Sequence, residues 1–358
     1  MIEFVLLLIL VSVLYILAVF LFPFRWIKAK HVNDLPDKIP NLFVYSYQAH
    51  IHTQFSYDSL GKPEDVFSAM EKENIDFALI TDHDNDNFKH FCNNKTVAGV
   101  ERKINSKDGI LGDLLEIDKL RIIAHPFKEK YRWKLNKEGY FLEIIDLKDA
   151  LLEDKKKLFF FLPAVMLLYP FIKEKSLELL KKVINVESYA VRYIQEGWNN
   201  PILGGLDHHT KIYIREVGKR ILFPSYSQSF YLMRNFLITN KPVNSATELL
   251  DAITSGLNLI SFHRKVFLTY KDRANVRVLS PYENFLVLHI TDKSKSYYQG
   301  CNLQLPIEEG RNIYVGFLYS FKLKNFYFGI KPALLFVLSS PPELFPENVE
   351  KASSGMGV

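Results

Sequence analysis

The stretch LFVYSYQAHIHTQFSYDSL, residues 42–60, begins as an apolar strand and ends in polar residues. Its two histidines, His50 and His52, are separated by a single residue, and Asp58 follows in the next loop. Side chains at positions i and i+2 of a β-strand point to the same face, so both imidazoles can reach one cation. The stretch therefore predicts a strand that delivers two metal ligands at its carboxyl end.

After this stretch, apolar runs of strand length alternate with amphipathic helices. The segment KPEDVFSAMEKEN (62–74) is typical of a helix, because Pro63 falls in its first turn and acidic residues lie near its N-terminus, where the helix dipole favours them. Further strands are predicted at IDFALITDHD (75–84), TVAGVER (96–102), KLRIIAHP (119–126), YFLEIIDL (140–147) and NPILGGLDHH (200–209). The alternation predicts an α/β fold with parallel strands and with functional residues at their carboxyl ends.

Histidines and carboxylates recur at the ends of these predicted strands. The residues concerned are Asp82, His83, Glu101, His125, Asp207 and His209. Each of them follows an apolar run, whereas the histidines elsewhere in the chain are scattered. Mixed imidazole and carboxylate ligands suit Zn, Mn or Fe without choosing among them. The joint pattern predicts one metal centre assembled from several strand ends.

In order and spacing, these motifs resemble those of the PHP (polymerase and histidinol phosphatase) superfamily over about residues 44–265. The matching motifs are His50-x-His52, Asp58, Asp82-His83, Glu101, Ala124-His125-Pro126 and Asp207-x-His209. The region around Trp133, the FLEIIDL stretch and the β-rich C-terminal part look more particularly like membrane-anchored bacterial PHP-type phosphoesterases. The resemblance implies a distorted (β/α)7 barrel with a metal cluster at the carboxyl ends of its strands.

The resemblance also implies two or three divalent metal ions (Zn, Mn or Fe) held by the side chains at the strand ends. The implied ligand sets are His50, His52, Glu101 and Asp207 for one metal, Glu101 and His125 for a second, and Asp58, His83 and His209 for a third. Two metals roughly 3.5–4 Å apart can lower the pKa of a bridging water and bind both oxygens of an in-line phosphoryl displacement. We therefore expect a phosphoesterase that attacks a phosphate ester with a metal-activated water.

Further candidates for supporting the cluster or contacting the substrate are Asp82, Lys128, Arg132, Glu143 and Asp146. Asp82 is expected to orient His83 or a neighbouring ligand. Lys128, Arg132 and Trp133 follow the His-Pro turn, where they either grip a phosphate or form a solvated basic loop. Glu143 either approaches the site or orients a neighbouring helix.

Two positions depart from the PHP pattern. Gln48 stands where the family often has an aspartate, and Asp146 and Lys148 stand where many relatives have a further histidine. In the LDHH motif, spacing selects His209 as the ligand and assigns His208 to the rim. The departures keep a second hypothesis open: a membrane-tethered binding or scaffold module with a degenerate metal site. A third is metal-dependent hydrolysis of a non-phosphate bond with the same ligands.

The N-terminal run FVLLLILVSVLYILAVFLFPF (4–24) carries no charge and exceeds the length of about 18 residues that a membrane span requires. A cleaved signal peptide is the rival interpretation. It normally has a basic start and a small-x-small cleavage site, whereas this run follows Glu3 and has Phe-Leu-Phe-Pro near its end. Arg25, Lys28 and Lys30 follow the run, so the positive-inside rule predicts a cytoplasmic C-terminal part.

One apolar segment interrupts the α/β pattern. KKKLFFFLPAVMLLYPFIKEK (155–175) has about 15 apolar residues between basic flanks, and Pro163 and Pro170 break it. The apolar part is short for a membrane span. It therefore predicts either a buried helix or a helix that lies on the bilayer.

The remaining composition outlines domains and partners. We expect a transmembrane anchor at 1–24, a linker at 25–42, the hydrolase domain at 43–265, a small antiparallel β-sandwich at 266–340 and a flexible tail at 341–358. The net charge of +5 and the absence of basic runs interleaved with aromatics give no nucleic-acid partner. Two distant cysteines fit a reducing compartment. The expected substrate is a small-molecule or nucleotide-like phosphate ester. The chain is also expected to contact a membrane bilayer, and the sequence identifies no protein partner for the β-sandwich.

Overall fold

The computed structural model describes residues 2–36, 38–214, 221–272 and 274–338. Its α-helices are α1 (Ile2–Leu21), α2 (Pro63–Glu73), α3 (Leu147–Glu153), α4 (Lys155–Ile172), α5 (Val186–Gln195), α6 (Tyr226–Leu232) and α7 (Ala246–Ser255). Short 3₁₀ helices cover Asn87–Phe91, Glu129–Tyr131 and Lys173–Val183. The flexible tail that the sequence predicts at 341–358 lies outside the described residues.

One large mixed sheet organises the strands. The strands of the first part are β1 (Phe24–Trp26), β2 (Ala29–His31), β3 (Phe43–Ile51), β4 (Phe77–His83), β5 (Thr96–Ser106), β6 (Gly109–Ile117), β7 (Leu120–Ala124), β8 (Phe141–Asp146), β9 (Ile202–Gly205), β10 (Ile212–Ile214), β11 (Ile221–Phe223), β12 (Arg234–Thr239) and β13 (Leu257–Ser261). The later strands are β14 (Leu268–Asp272), β15 (Asn275–Leu279), β16 (Phe285–Thr291), β17 (Lys295–Gln299), β18 (Asn302–Pro306), β19 (Asn312–Leu318), β20 (Phe321–Leu323), β21 (Phe326–Phe328) and β22 (Lys331–Leu338). Fourteen of them form a single sheet in the order β2-β17-β16-β19-β22-β13-β12-β3-β4-β5-β6-β7-β8-β9. The predicted α/β class is confirmed.

The run of strands from β3 to β9 determines where functional side chains meet. β3, β4 and β5 pair in parallel, as do β7, β8 and β9, while β6 runs antiparallel between β5 and β7. Backbone hydrogen bonds also join the two ends of the run: Leu206 N donates to Ala49 O and His52 N donates to His208 O, both at 3.1 Å. All of these strands except β6 therefore direct their carboxyl ends to the same side.

Local sequence signals set the bounds of α2. The helix begins at Pro63, whose missing N–H would have had no helical partner in any case, and Glu64 and Asp65 lie in its first turn. It ends before Asn74, whose φ of 52° lies in the left-handed region that helix ends adopt. The helix predicted at 62–74 is thus confirmed.

The sequence-based assignment missed β6. Its residues, GILGDLLEI, follow a tight turn at Lys107–Asp108 and pair with β5 and β7. Antiparallel neighbours need only a short turn between them, whereas parallel neighbours need a longer crossover, usually a helix. The predicted strand–helix alternation therefore fails between β5 and β7.

Residues 25–42 are not the bare linker that the sequence predicted. β1 pairs with β21, and β2 pairs in parallel with β17, so strands of the C-terminal part bind this stretch. The C-terminal strands are also continuous with the large sheet, because β22 pairs with β13. A separate sheet of β14, β15 and β18 shares an apolar core with β16, β19 and β22.

Two apolar helices stand out from the rest of the described chain. α1 is long and apolar enough to cross a membrane, although a signal sequence has the same properties. Within the segment 155–175, residues 155–172 form one helix, α4, that continues through both prolines, and a 3₁₀ helix begins at Lys173. Phe161, Ala164 and Val165 of α4 are buried, whereas Phe171 is exposed. α4 therefore has one buried face and one exposed face, and each of the two predicted environments, burial and a surface position, applies to one of these faces.

Candidate metal centre

The strand directions bring the predicted ligands to one end of the β3–β9 run. The residues at or just beyond the ends of β3, β4, β7 and β9 are His50, His52, His83, His125, Asp207 and His209. Glu101 lies within β5, but the pairing of β4 with β5 puts it directly beside His83. Because the parallel strands end on the same side, these side chains converge there.

Glu101 lies at the centre of the cluster. Its Oε2 atom is 3.2 Å from His50 Nε2, 3.1 Å from His52 Nε2 and 3.1 Å from His83 Nδ1. Its Oε1 atom is 3.1 Å from His125 Nε2. The residue is only 2% exposed, so water screens these charges weakly. One buried carboxylate thus faces four imidazole rings.

Four groups of described side chains bring three or more ligand atoms within 4.8 Å of one another. They are His50–His52–Glu101–Asp207, Glu101–Asp113–His125, His52–His83–His209 and His50–Glu143–Asp146. The first group is the set that the resemblance implies for one metal. Glu101 also belongs to the second group, together with His125, as the resemblance implies for a carboxylate between two metals.

The third implied set comes together at the edge of the cluster. Asp58 Oδ1 lies 3.1 Å from His209 Nε2 and 3.7 Å from His83 Nε2. The other oxygen of Asp58 is 2.9 Å from Lys211 Nζ. Asp58 is more exposed than the other predicted ligands, so this corner is the one that solvent reaches most easily.

Asp113 is a candidate ligand that the sequence-based assignment missed. It lies on β6, is buried, and its Oδ2 atom is 3.7 Å from His125 Nε2. It gives the second ligand set a carboxylate besides that of Glu101. The available signal was Asp113, an acidic residue between the apolar residues of the run GILGDLLEI, because a buried carboxylate is rare unless it is paired or binds a metal.

The unpaired atoms of the cluster fit a cation better than a hydrogen-bond network. The buried atoms His50 Nε2, His52 Nε2, His209 Nε2, Glu101 Oε2 and Asp113 Oδ1 have no hydrogen-bond partner among the described residues. Each unpaired buried polar atom costs about 1–3 kcal/mol. A divalent ion removes this cost, since imidazole nitrogens and carboxylate oxygens are its preferred ligands here.

Backbone strain coincides with three of the candidate ligands. His50, His125 and Asp207 have φ angles of 59°, 29° and 42°, in the left-handed region that residues with side chains rarely adopt. Such conformations persist where the surrounding structure imposes them, and they concentrate at functional sites. In this cluster they turn ligand side chains inward at the strand ends.

Burial and neighbouring charges act in opposite directions on the buried groups. Burial alone would lower the pKa of His50, but the carboxylates of Glu143 and Glu101 raise it well above its ordinary value. Burial would raise the pKa of Glu101, but the adjacent histidines hold it well below its usual range. Burial raises the pKa of Asp113 to about 6. Glu101 therefore stays ionised, which is the state in which a carboxylate binds a metal.

Two carboxylates outside the first ligand set orient its histidines. Glu143 Oε2 lies 3.0 Å from His50 Nδ1, which leaves Nε2 of that ring directed into the cluster. Asp82 accepts hydrogen bonds from Thr53 N at 2.6 Å and from Ser56 Oγ at 2.7 Å. The Ser56 hydroxyl in turn lies 3.0 Å from His52 Nδ1, so Asp82 supports a ligand other than the adjacent His83.

Replacing Glu143 with glutamine is expected to weaken metal binding and turnover by about 10–100-fold, the usual effect of removing a carboxylate that orients a metal-bound histidine. Metal titration and kcat measure the loss. Glu138→Gln, in the exposed turn before β8, is the matched control. Gly205→Ala should act in the same direction without removing a polar group, because its Cβ would lie 1.8 Å from Glu143 Oε1. Unchanged metal affinity in Glu143→Gln would contradict this role.

Several residues singled out from the sequence lie away from the cluster. Arg132 pairs with Glu196 on an exposed surface, and Trp133 is buried in the apolar core. His208 is buried beside Ser229 rather than lying at the rim, which corrects the expectation for that residue. None of these side chains belongs to the four ligand groups among the described residues.

The position where relatives have a further histidine is filled differently. Lys148 Nζ contacts Asp207 Oδ2 in a short ion pair. Asp146 caps the start of α3 by accepting from Asp149 N at 2.8 Å, while its Oδ2 atom is buried and unpaired among the described residues. Asp146 groups with His50 rather than with His125. Of these two acids, Asp113 is the one that lies in a ligand group with Glu101 and His125.

A cavity of about 220 Å³ opens beside the cluster. Its lining includes His125, Lys128, Glu143 and Asp146 from the cluster side and Arg192 from α5. Lys128 also pairs with Asp149 at 2.7 Å. The cavity is therefore next to the second ligand set, and its lining carries both cationic and acidic side chains. The fold and this cluster together define an α/β protein with a buried centre that fits divalent metal ions.

Comparison with known proteins finds similarity to solved structures but not to a family model or a curated protein. The chain is similar to a solved structure from Bacteroides vulgatus, a two-domain protein that contains a predicted PHP-like metal-dependent phosphoesterase. The two share 12% identity over 87% of this chain and 99% of the other, with a TM-score of 0.32. At this identity and TM-score the similarity transfers no residue role to this chain.

Proposed function

We propose that this chain is a metal-dependent phosphoesterase that hydrolyses a phosphate ester at a cluster of two or three divalent ions. The observation that carries the proposal is the shared carboxylate of Glu101. One of its oxygens faces His50 and His52, and the other faces His125. A buried acid in this position can join two metal ions of a hydrolytic centre.

The proposed ligands extend the sets that the sequence indicated. They are His50, His52, Glu101 and Asp207 for one ion, Glu101, Asp113 and His125 for a second, and Asp58, His83 and His209 for a third. Zn, Mn and Fe all suit these donors. When bound, such ions supply a water of lowered pKa and stabilise the charge that develops on the phosphoryl oxygens.

The protein's own side chains orient these donors. Glu143 holds His50 at Nδ1, so that the lone pair of Nε2 is directed into the cluster. Lys148 holds Asp207 at Oδ2, and Oδ1 of that carboxylate then lies 3.5 Å from His52 Nε2. Burial of His50, His52, Glu143 and Asp207 excludes bulk water and strengthens their electrostatic interactions.

The proposed substrate is a small-molecule or nucleotide-like phosphate ester. Lys128 and Arg192 line the cavity beside His125 together with their ion-pair partners Asp149 and Glu153, so an anion binding there would compete with these carboxylates for the two cations. Phe127 and Tyr189 give the same cavity an aromatic wall. These features support a phosphate next to the second ligand set with an organic group beyond it.

The site favours a catalytic centre over a degenerate one. Gln48 donates to Met233 O at 2.9 Å and lies outside the four ligand groups, so its lack of a carboxylate leaves them intact. Asp113 supplies the ligand that the second set lacked in the sequence. The non-phosphate alternative uses the same ligands, and only substrate profiling separates it from a phosphoesterase.

Finer points of architecture and location belong to this proposal. We infer that β3–β9 form a distorted seven-stranded barrel, supported by the hydrogen bonds that join Ala49 to Leu206, and that β14, β15 and β18 form one layer of a β-sandwich. We also infer that α1 is a retained anchor. The basic residues after it support a cytoplasmic location for the large domain. Activity of a C-terminal reporter that works only outside the cytoplasm would refute that orientation.

Metal removal tests the function directly. Full-length protein in detergent should hydrolyse an aryl phosphate monoester or a bis-aryl phosphate when loaded with Mn or Zn, lose about 100-fold or more of that rate after chelation, and recover it when metal returns. Rates and metal content are measured on the same sample. A folded, metal-loaded protein that turns over neither ester would overturn the proposal.

A further inference from the structure

The last turns of α1 contact α4 and Lys182. The Tyr15 hydroxyl donates to Phe160 O at 2.7 Å and accepts from Ala164 N at 3.2 Å, which attaches α1 to α4. Lys182 Nζ donates to the backbone carbonyls of Val19, Phe20 and Phe22 at 2.8–3.0 Å. The end of α1 is therefore fixed in place and not connected through a loose hinge.

α4 carries an unpartnered apolar face next to this attachment. Phe159, Met166, Leu167 and Phe171 are exposed, with Phe171 at 82% and Phe159 at 73%. The buried residues of the same helix face the core. The basic residues Lys155–Lys157 precede the exposed face. A helix of this kind, apolar on its outer face with basic residues at one end, is typical of the membrane–water interface.

A second apolar surface directly follows the end of α1. The three-stranded sheet β1-β21-β20 exposes Phe24, Trp26, Phe321, Leu323 and Phe326. Lys28 Nζ lies 5.3 Å from the ring centre of Trp26. Aromatic side chains with nearby lysines are enriched where membrane proteins cross from hydrocarbon to headgroups.

Phe22 connects the two surfaces. Its ring lies 6.4 Å from that of Phe24 in the sheet and 5.6 Å from that of Phe160 in α4. We use the word collar for the exposed apolar side chains of α4 and of the β1-β21-β20 sheet. The collar accounts for about half of the large exposed apolar side chains outside α1 in the described structure.

The length of α1 sets the depth of the collar. α1 has 20 residues, which span about 30 Å at 1.5 Å per residue and match the hydrocarbon thickness of a bilayer. The contacts with α4 begin at Tyr15, about 10 Å before the end of the helix. If α1 fills the hydrocarbon, the part of α4 that contacts Tyr15 lies within the outermost 10 Å of the membrane, the depth of interfacial helices.

We propose that the collar inserts into the bilayer interface and is a second, monotopic membrane attachment of this chain. The proposal rests on the proposed role of α1 as an anchor. It commits to a lipid bilayer as the occupant of both surfaces, because they adjoin the end of the span and carry flanking lysines. The domain is then held in one orientation against the membrane.

Depth-dependent quenching tests the proposal on the full chain in lipid vesicles. Single cysteines for an environment-sensitive fluorophore are introduced as Phe171→Cys and Phe326→Cys in a Cys92→Ser, Cys301→Ser background. Leu10→Cys reports the span. Leu135→Cys, on an exposed loop, is the matched control. Lipids brominated near the top of the acyl chain should quench the two collar labels at least about twofold and leave the control label unchanged.

The outcomes separate the collar from the anchor. Collar labels that behave like the Leu135→Cys label, while the Leu10→Cys label is quenched, would overturn the collar and leave the anchor intact. The Leu10→Cys label could also be quenched while the collar labels are shielded from water but not quenched by the lipids. That result would assign these surfaces to a protein partner or a second copy, which also overturns the proposal. If no label is quenched, α1 is not a span and both ideas fail. Circular dichroism confirms that each variant is folded.

Discussion

Glu101→Gln is expected to abolish metal-dependent turnover, with a loss of more than about 100-fold in kcat and of most bound metal. Glutamine keeps the shape of the side chain but removes the charge that faces His50, His52 and His83 through Oε2 and His125 through Oε1. Both proposed metal positions that share this carboxylate lose their central ligand at once. Metal content and kcat are measured on one preparation.

Glu116→Gln is the matched control for this variant. Glu116 lies on the neighbouring strand β6 and forms an exposed ion pair with Arg102, so its loss should leave metal content and kcat unchanged. Thermal unfolding of both variants separates loss of metal from loss of fold. Glu101→Gln protein that is folded and retains both its metal and its activity would contradict the assignment of Glu101 as the shared ligand.

Asp113→Asn is expected to remove one metal ion per chain and to lower kcat by about 10–100-fold. Its carboxylate lies 3.7 Å from His125 Nε2 and belongs to the ligand group of Glu101 and His125. The first ligand set does not include Asp113, so the metal bound there should remain. The measurement is metal stoichiometry by elemental analysis, followed by kcat at saturating metal.

Asp108→Asn is the control for Asp113, because it lies in the exposed turn of the same hairpin. Equal metal stoichiometry in Asp113→Asn and in wild-type protein would show that Asp113 is not a ligand. A loss of all bound metal would instead mean that the two ligand sets do not bind independently.

The clustering of potential metal ligands at the strand ends could be predicted from the sequence, because two simple regularities apply there. His50 and His52 share a face through the two-residue period of a strand, and parallel strands bring His83 and His125 to the same side. The bounds of α2 followed from Pro63 and the acidic residues after it. These features depend on local geometry, which a single sequence contains.

The sequence could not predict features that depend on distant pairing. Asp113 was missed because β6 is an antiparallel insertion in a run of parallel strands, and its place beside His125 follows only from the pairing with β5 and β7. The contact of Lys148 with Asp207 joins two strand ends that are far apart in the chain. The pairing of β2 with β17 likewise involves both ends of the fold, so residues 25–42 looked like a linker.

The segment 155–175 illustrates a different limit. Its composition predicted either burial or contact with a bilayer, and α4 has one buried face and one exposed face. The contact of Tyr15 with Phe160 ties α4 to the end of the apolar helix α1, and this contact supports the proposed bilayer environment of the exposed face.

The most direct test of the account is to locate the metal ions in crystals of the full chain loaded with Zn or Mn, by anomalous scattering at the absorption edge of that metal. We predict at least two ions, one on each side of the Glu101 carboxylate. The first would contact His50, His52 and Asp207, and the second would contact His125 and Asp113. The proposal is contradicted if a folded, metal-loaded crystal shows no anomalous peak beside Glu101, or shows peaks only elsewhere in the chain.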